Sequence, residues 1–152
     1  MTMNSPPDSA LVGFADIRTQ SIEDWQNFRV EGLQFLHLAE NAYAKKKKAF
    51  TPEILYNLIA MAIEKLAMSA LMHIGRLPYN HTMHDLADAL EEWIPAAIAG
   101  MEESVRALDK HQEICDPYSF TLRTPSMDDI AHMLQLARIL EQRLAPGVAQ
   151  PL

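Results

Sequence analysis

Apolar residues recur along most of the chain at the three- and four-residue spacing of amphipathic helices. The first such stretch begins at Ser21, where "SIED" approaches a capping box, and it ends in the four lysines 45–48. The second opens with Thr51 as N-cap and Pro52 in the first turn, and it ends at Gly75. This second stretch is apolar almost all round, which is typical of a helix at the centre of a bundle.

Three further helices are predicted after Gly75. The third follows a capping Thr82 and ends or kinks at Pro95. The fourth carries apolar residues on one face from Ile98 to Cys115. The fifth starts at Ser126 and ends in the turn 145–147.

The order of these elements predicts the fold class and the domain boundaries. No stretch alternates as a strand would, so the sequence predicts an all-α fold. Short links between five helices favour a five-helix, mostly up-and-down antiparallel bundle. The chain of 152 residues then divides into an N-terminal arm at 1–20, a bundle at 21–145 and a C-terminal tail at 146–152.

Charge and cysteine content narrow the class of protein. The net charge of −7 excludes a broad DNA-coating surface, which would need clustered Lys and Arg. The single cysteine, Cys115, permits no disulfide within the chain and suits a reducing compartment. Polar residues interrupt the most apolar window, 54–74, and the N-terminus lacks a signal-peptide pattern. We therefore expect a cytoplasmic protein with no membrane span.

Residues that could bind or react with a ligand are concentrated in the segment "HIGRLPYNHTMHDL", which connects the second and third predicted helices. Arg76 and His81 are spaced Arg-x4-His. An arginine clamps phosphate with two donors, and a histidine can take a proton from a ribose 2′-hydroxyl, so the two could cleave RNA without a metal. The alternative is a solvated arginine and an incidental histidine. If the site is real, Arg76, His81 and His84 should share one pocket.

Two residues in the first turn of the third helix extend this site. We expect Asp85 to accept hydrogen bonds from backbone N–H groups there, and His84 to donate to a phosphate or a base. His81 and His84 also form an H-x-x-H pair. A zinc site would need further ligands, with His73, Cys115, Asp85 and His132 as candidates. The sequence favours no metal site and no cofactor.

Three residues elsewhere are candidates for binding nucleotide or RNA. Lys65 interrupts the apolar second helix, so it either forms an ion pair with another helix or points toward phosphate. Tyr118 and Arg123 lie in a predicted loop, where they could stack on a base or simply pack on the bundle. The lysines 45–48 are interpreted as a solvated helix end, with a dedicated phosphate site as the alternative.

Two segments together resemble the HEPN domain family over roughly residues 21–144. "ILYNLIAMAIEKLAMSALMHIGRLPYNHTMHDLADAL" resembles the centre of such a domain, with its Glu64-Lys65 step and its later His84-Asp85-Leu86. "CDPYSFTLRTPSMDDIAHMLQLARILEQRL" is similar to the closing loop and last helix of the family, with Tyr118 in the loop.

The resemblance implies a helical bundle that dimerises and binds nucleotides or RNA. It also implies a nucleotidyltransferase partner protein in a toxin–antitoxin or defence system. Active members of the family are metal-independent RNases that use Arg-x(4–6)-His. Here Leu77 follows Arg76, where the family usually has a polar residue, and His84 lies outside the motif.

We therefore predict a non-catalytic or weakly catalytic HEPN-like module that binds nucleotide or RNA and pairs with itself or with a partner protein. The alternatives are an RNase toxin that uses Arg76 and His81, and a non-catalytic structural dimer.

Overall fold

A computed structural model describes residues 21–111 and 124–148 of the chain. These residues form helices and no strand, which confirms the predicted all-α fold and its bundle architecture. The helices are α1 (Trp25–Ala44), α2 (Pro52–His73), α3 (Met83–Trp93), α4 (Pro95–Ile98), α5 (Glu102–Arg106), a 3-10 segment (Ala107–His111) and α6 (Met127–Arg143). The predicted N-terminal arm and the last four residues of the predicted tail lie outside the described residues.

Helix α2 is the central element of the bundle. It contacts α1, α3 and α6, and its buried residues occupy nearly its full circumference. The Thr51 hydroxyl accepts from the Ile54 N–H at 3.3 Å, and Gly75 is left-handed just past the end, so both predicted boundaries are confirmed. By length and composition α2 could cross a membrane, but two-thirds of its most apolar window is buried inside the bundle.

Helix α1 begins at Trp25, and the predicted start at Ser21 is wrong. Asp24 adopts a left-handed conformation, φ 70°, which breaks the helix before it. The Ser21 hydroxyl donates instead to the His73 carbonyl at 2.6 Å, and the Ile22 N–H donates to the Met72 carbonyl. Ser21 and Ile22 therefore donate hydrogen bonds to two carbonyls at the C-terminal end of α2, and neither residue caps α1.

The connection 74–82 turns back along α2 before α3 begins. At its end, His81 contacts Glu64 near the middle of α2. At its start, Arg76 stacks on Trp93, the last residue of α3. These two contacts mean that α3 runs in the same direction as α2, whereas a tight turn would have made the two helices antiparallel.

The predicted fourth helix is broken into three short pieces. Pro95 begins α4, and Gly100 is left-handed at φ 80°, a conformation that an α-helix cannot contain. The chain then forms α5 and the 3-10 segment, with the remainder up to Cys115 outside the described residues. A single helix from Ile98 was therefore a wrong prediction.

Arg106 joins α5 to α3. It donates to Glu91, Asp88 and Glu103, and the hydrogen bonds to Glu91 and Asp88 raise the pKa of its guanidinium, so it stays charged.

Helix α6 is attached to α1 in a similar way, by Arg138. Its hydrogen bonds to Glu40 raise the pKa of Arg138. Helix α6 begins after Ser126, as predicted, and Ser126 and Asp129 form a capping box there.

Helices α1 and α2 pack closely against each other at Gly32. A Cβ built there would lie 2.9 Å from the Leu66 Cγ and 3.2 Å from the Leu66 backbone nitrogen. Because backbone cannot move aside as a side-chain tip can, the two helices would have to separate.

We expect Gly32→Ala to lower the free energy of unfolding by about 1–3 kcal/mol, because overpacking outweighs the gain in helix propensity of about 1 kcal/mol. Urea denaturation measures this, with Gln34→Ala on the exposed face of α1 as the control. A Gly32→Ala protein at least as stable as wild type would contradict the close packing.

Candidate functional site at the start of helix α3

The N-terminus of α3 is capped from two directions. The Asp109 carboxylate accepts from the Met83 N–H at 2.9 Å and from the His84 N–H at 3.0 Å. The Thr82 hydroxyl oxygen accepts from the Asp85 N–H at 3.1 Å. The first three N–H groups of the helix are therefore satisfied by the protein itself, and none of them is left to bind a phosphate.

His84 is held by the same carboxylate. Its Nδ1 lies 2.8 Å from the second oxygen of Asp109, whose side chain is only 9% exposed, while the imidazole is 60% exposed. A carboxylate oxygen can only accept, so the proton of the neutral ring is placed on Nδ1. In this tautomer the Nε2 atom carries no proton.

His81 has the same arrangement with a different partner. Its Nδ1 lies 2.7 Å from Glu64 Oε1, and its side chain is 61% exposed. Glu64 interrupts the apolar pattern of α2, and its hydrogen bond with His81 accounts for an acidic residue at that position. Both histidines therefore carry a carboxylate on Nδ1, and both stand at the same end of α3.

Tyr79 is an exposed aromatic residue two positions before His81 in the chain. It is 93% exposed, the highest value among the large apolar side chains of the described residues, and Leu77 nearby is 58% exposed. Two residues separate by at most about 7 Å along an extended chain, so the ring can reach a molecule bound at His81. We refer to Tyr79, His81 and His84 as the two-histidine site.

Arg76 does not lie at the two-histidine site, contrary to the expectation of one shared pocket. Its guanidinium stacks on the Trp93 ring, 3.6 Å from the centroid. Trp93 follows His84 by nine residues of helix, about 13 Å along the axis. The connection 74–82 separates them because it runs back along α2, with Arg76 at one end and His81 at the other.

The sequence predicted that the Asp85 carboxylate accepts from backbone N–H groups, and the structure gives it a different donor. Its carboxylate accepts from the Thr82 hydroxyl at 3.0 Å, and Asp109 accepts from the backbone in its place. Asp109 arrives from a distant segment and covers the helix end, so Asp85 is left to hold the capping threonine.

Lys65 has the ion-pair arrangement that was one of its two predicted roles. Its ammonium lies 2.6 Å from Glu31 and 4.2 Å from the centroid of the Phe28 ring. Both partners belong to α1, so the side chain is directed toward that helix. The prediction that Lys65 faces a bound phosphate is not supported by this geometry.

The remaining predicted ligands are either elsewhere or outside the described residues. His73 packs on the Trp25 ring, with centroids 4.1 Å apart, and His132 contacts the Asp128 carbonyl of its own helix. Within 21–111 and 124–148, no group of three His, Cys, Asp or Glu side chains could hold a metal ion. Tyr118, Arg123 and Cys115 lie in the part of the chain that is not described.

Asp109 is the residue of this site that sequence reasoning missed. It lies four positions after Val105, on the inward face of a stretch whose apolar pattern predicted a helix, and it is buried. An acidic residue at an apolar position is a signal for a buried partner. The sequence could show that a partner exists, but not that it is the first turn of α3.

Comparisons with family models, with curated proteins and with solved structures found no match to this chain. The assignment of a function therefore rests on the geometry of the site and on the resemblance noted in the sequence.

We expect Asp109→Ala to lower the free energy of unfolding by about 2–4 kcal/mol, because two N–H groups of α3 lose their acceptor. Urea denaturation measures the loss. Asp88→Ala removes the same charge from a side chain that is 64% exposed and ion-paired, and should cost no more than about 1 kcal/mol. Equal losses in the two variants would show that Asp109 does not hold the helix end.

Proposed function

We propose that this protein is a HEPN-like helical module that binds a nucleotide or RNA at the two-histidine site. The observation that carries the proposal is the pair of exposed imidazoles, each with Nδ1 on a carboxylate. The carboxylate fixes the orientation of the ring, so Nε2 is presented in a set direction and little rotational freedom is lost on binding.

The chemistry of the site suits a phosphate beside an unpaired base. The form of the ring that binds phosphate is the imidazolium, which keeps Nδ1–H on its carboxylate and donates Nε2–H to a phosphate oxygen. The exposed ring of Tyr79 offers a face on which a base can stack. Recognition by stacking and by two donors suits a single-stranded nucleotide better than a duplex, whose bases are already stacked.

The position of Arg76 favours binding over the Arg76–His81 cleavage that was the alternative. Cleavage by that pair requires the guanidinium near the scissile phosphate, with His81 near the 2′-hydroxyl. The stacking of Arg76 on Trp93, at the far end of α3, does not support this arrangement.

Self-association is part of the proposal. Ile54 and Met61 are 43% and 41% exposed, and a spacing of seven residues places them on one face of α2. An exposed apolar face of this kind is a candidate for a contact between two copies of the chain. The nucleotidyltransferase partner, the toxin–antitoxin or defence setting and the cytoplasmic location stay predictions from the sequence.

We expect His81→Ala and His84→Ala each to weaken binding of a labelled single-stranded RNA, or of ATP, by about tenfold. Each substitution removes one charge-assisted hydrogen bond, and tenfold corresponds to about 1.4 kcal/mol. Fluorescence anisotropy and calorimetry measure the affinities. His37→Ala, which removes an exposed histidine from α1, is the matched control and should bind as wild type does.

Three results would count against this function. Binding that is the same in wild type, both histidine variants and the control would remove the two-histidine site from ligand recognition. Failure of wild type to bind either ligand at millimolar concentration would reject the ligand class. RNA cleavage that persists in EDTA and disappears in His81→Ala and in Arg76→Ala would instead establish the RNase alternative.

A further inference from the structure

The turn between α1 and α2 holds four consecutive lysines in a fixed backbone geometry. The Lys46 N–H donates to the Tyr43 carbonyl and the Lys47 N–H donates to the Ala42 carbonyl, each at 3.1 Å. These two bonds are the Schellman pattern that closes a helix. Lys46 occupies its left-handed position with φ 49°, where glycine is favoured. A lysine therefore occupies a backbone position that favours glycine.

A cavity of about 490 Å³ opens beside this turn. Lys46, Lys47 and Lys48 are the charged residues among those lining it, and no acidic side chain lines it. The remaining lining residues are apolar or aromatic, and the large side chains among them are those of Tyr43, Phe50, Leu55 and Met127. The volume lies within the range of small-molecule sites. We call this the lysine cavity.

The lysines of the turn have no acidic partner among residues 21–111 and 124–148. Within the described part of the chain, none of the four forms a salt bridge, although the net charge of the whole chain is −7. The basic residues Arg29, Lys65, Arg106 and Arg138 each lie against a carboxylate in the same structure. Three lysines that line one cavity and have no carboxylate partner in the described residues create a positive potential there, which attracts an anion.

We propose that the lysine cavity binds a nucleoside polyphosphate, with its phosphates on Lys46, Lys47 and Lys48 and its base against Tyr43 and Phe50. Several ammonium groups suit a ligand that carries several negative charges, since each phosphate oxygen can accept from a separate donor. The two rings supply the stacking surface that a base uses and that an inorganic anion does not.

This site is distinct from the two-histidine site. Leu55 lines the lysine cavity and Glu64 holds His81, and both belong to α2. Nine residues of helix separate them, which is about 13 Å along the axis and about half a turn around it. The two sites therefore lie on different faces of α2, and binding at one does not require the other.

The test measures ATP binding by calorimetry in a His81→Ala, His84→Ala background, so that the two-histidine site does not contribute. We expect saturable binding there, and a loss of at least about tenfold on adding Lys47→Gln with Lys48→Gln. The control is the double variant Lys45→Gln with Lys110→Gln, which loses the same two positive charges at residues that do not line the cavity. This control should change the affinity by less than about twofold, because neither side chain lines the cavity and exposed charges outside it are screened by salt.

A second comparison tests the aromatic wall. Phe50→Leu should weaken ATP but leave inorganic tripolyphosphate unchanged, because only the nucleotide has a base to stack. Circular dichroism spectra like that of the parent would confirm that the variants fold.

Three outcomes would overturn the proposal. The first is the absence of ATP binding at millimolar concentration in the histidine background. The second is an equal loss in the two double-lysine variants. The third is lysine-dependent binding to vesicles of phosphatidylserine without any binding of ATP, which would make this turn a membrane contact.

Discussion

The buried carboxylate of Asp109 is the interaction on which the start of α3 depends. It accepts hydrogen bonds from two backbone N–H groups and from one imidazole N–H. Both of its oxygens are therefore hydrogen-bonded, which offsets the cost of burying the charge. A carboxylate at 9% exposure would be costly without these donors, and the donors would be unsatisfied without it. The same contact attaches the 3-10 segment to α3 and orients His84.

The path of the connection 74–82 decides which residues can act together. Because it returns along α2, it brings His81 to Glu64 and leaves Arg76 at the far end of α3. The Arg-x4-His spacing is present in the sequence, but the two side chains are not neighbours within this chain. The fold instead places each of the two imidazoles against its own carboxylate near the start of α3, and it leaves the ring of Tyr79 exposed two residues before His81.

Local signals allowed much of the fold to be predicted. The caps at Thr51, Thr82 and Ser126 and the left-handed Gly75 depend on hydrogen bonds within a few residues, and each was visible in the sequence. The helical fold class follows from the apolar spacing, which also depends only on near neighbours. Such features need no knowledge of how distant segments pack.

The errors arose where a residue has a distant partner or breaks a periodic pattern. Ser21 has the chemistry of an N-cap but donates to the end of α2, and Gly100 interrupts an apolar pattern that looked continuous. Candidate histidines could be named from the sequence, whereas their carboxylates, Glu64 and Asp109, lie 17 and 25 residues away. Only the tertiary fold shows which acidic residue meets which ring.

The most direct test of the site is the tautomer of each histidine, measured by long-range nitrogen–proton correlation NMR on uniformly labelled protein. In the neutral form, His81 and His84 should carry the proton on Nδ1 with Nε2 bare, because the carboxylates of Glu64 and Asp109 accept it. His37 provides the reference for an exposed ring. Neutral His81 and His84 with the proton on Nε2 would contradict the carboxylate-held geometry from which the proposed function is drawn.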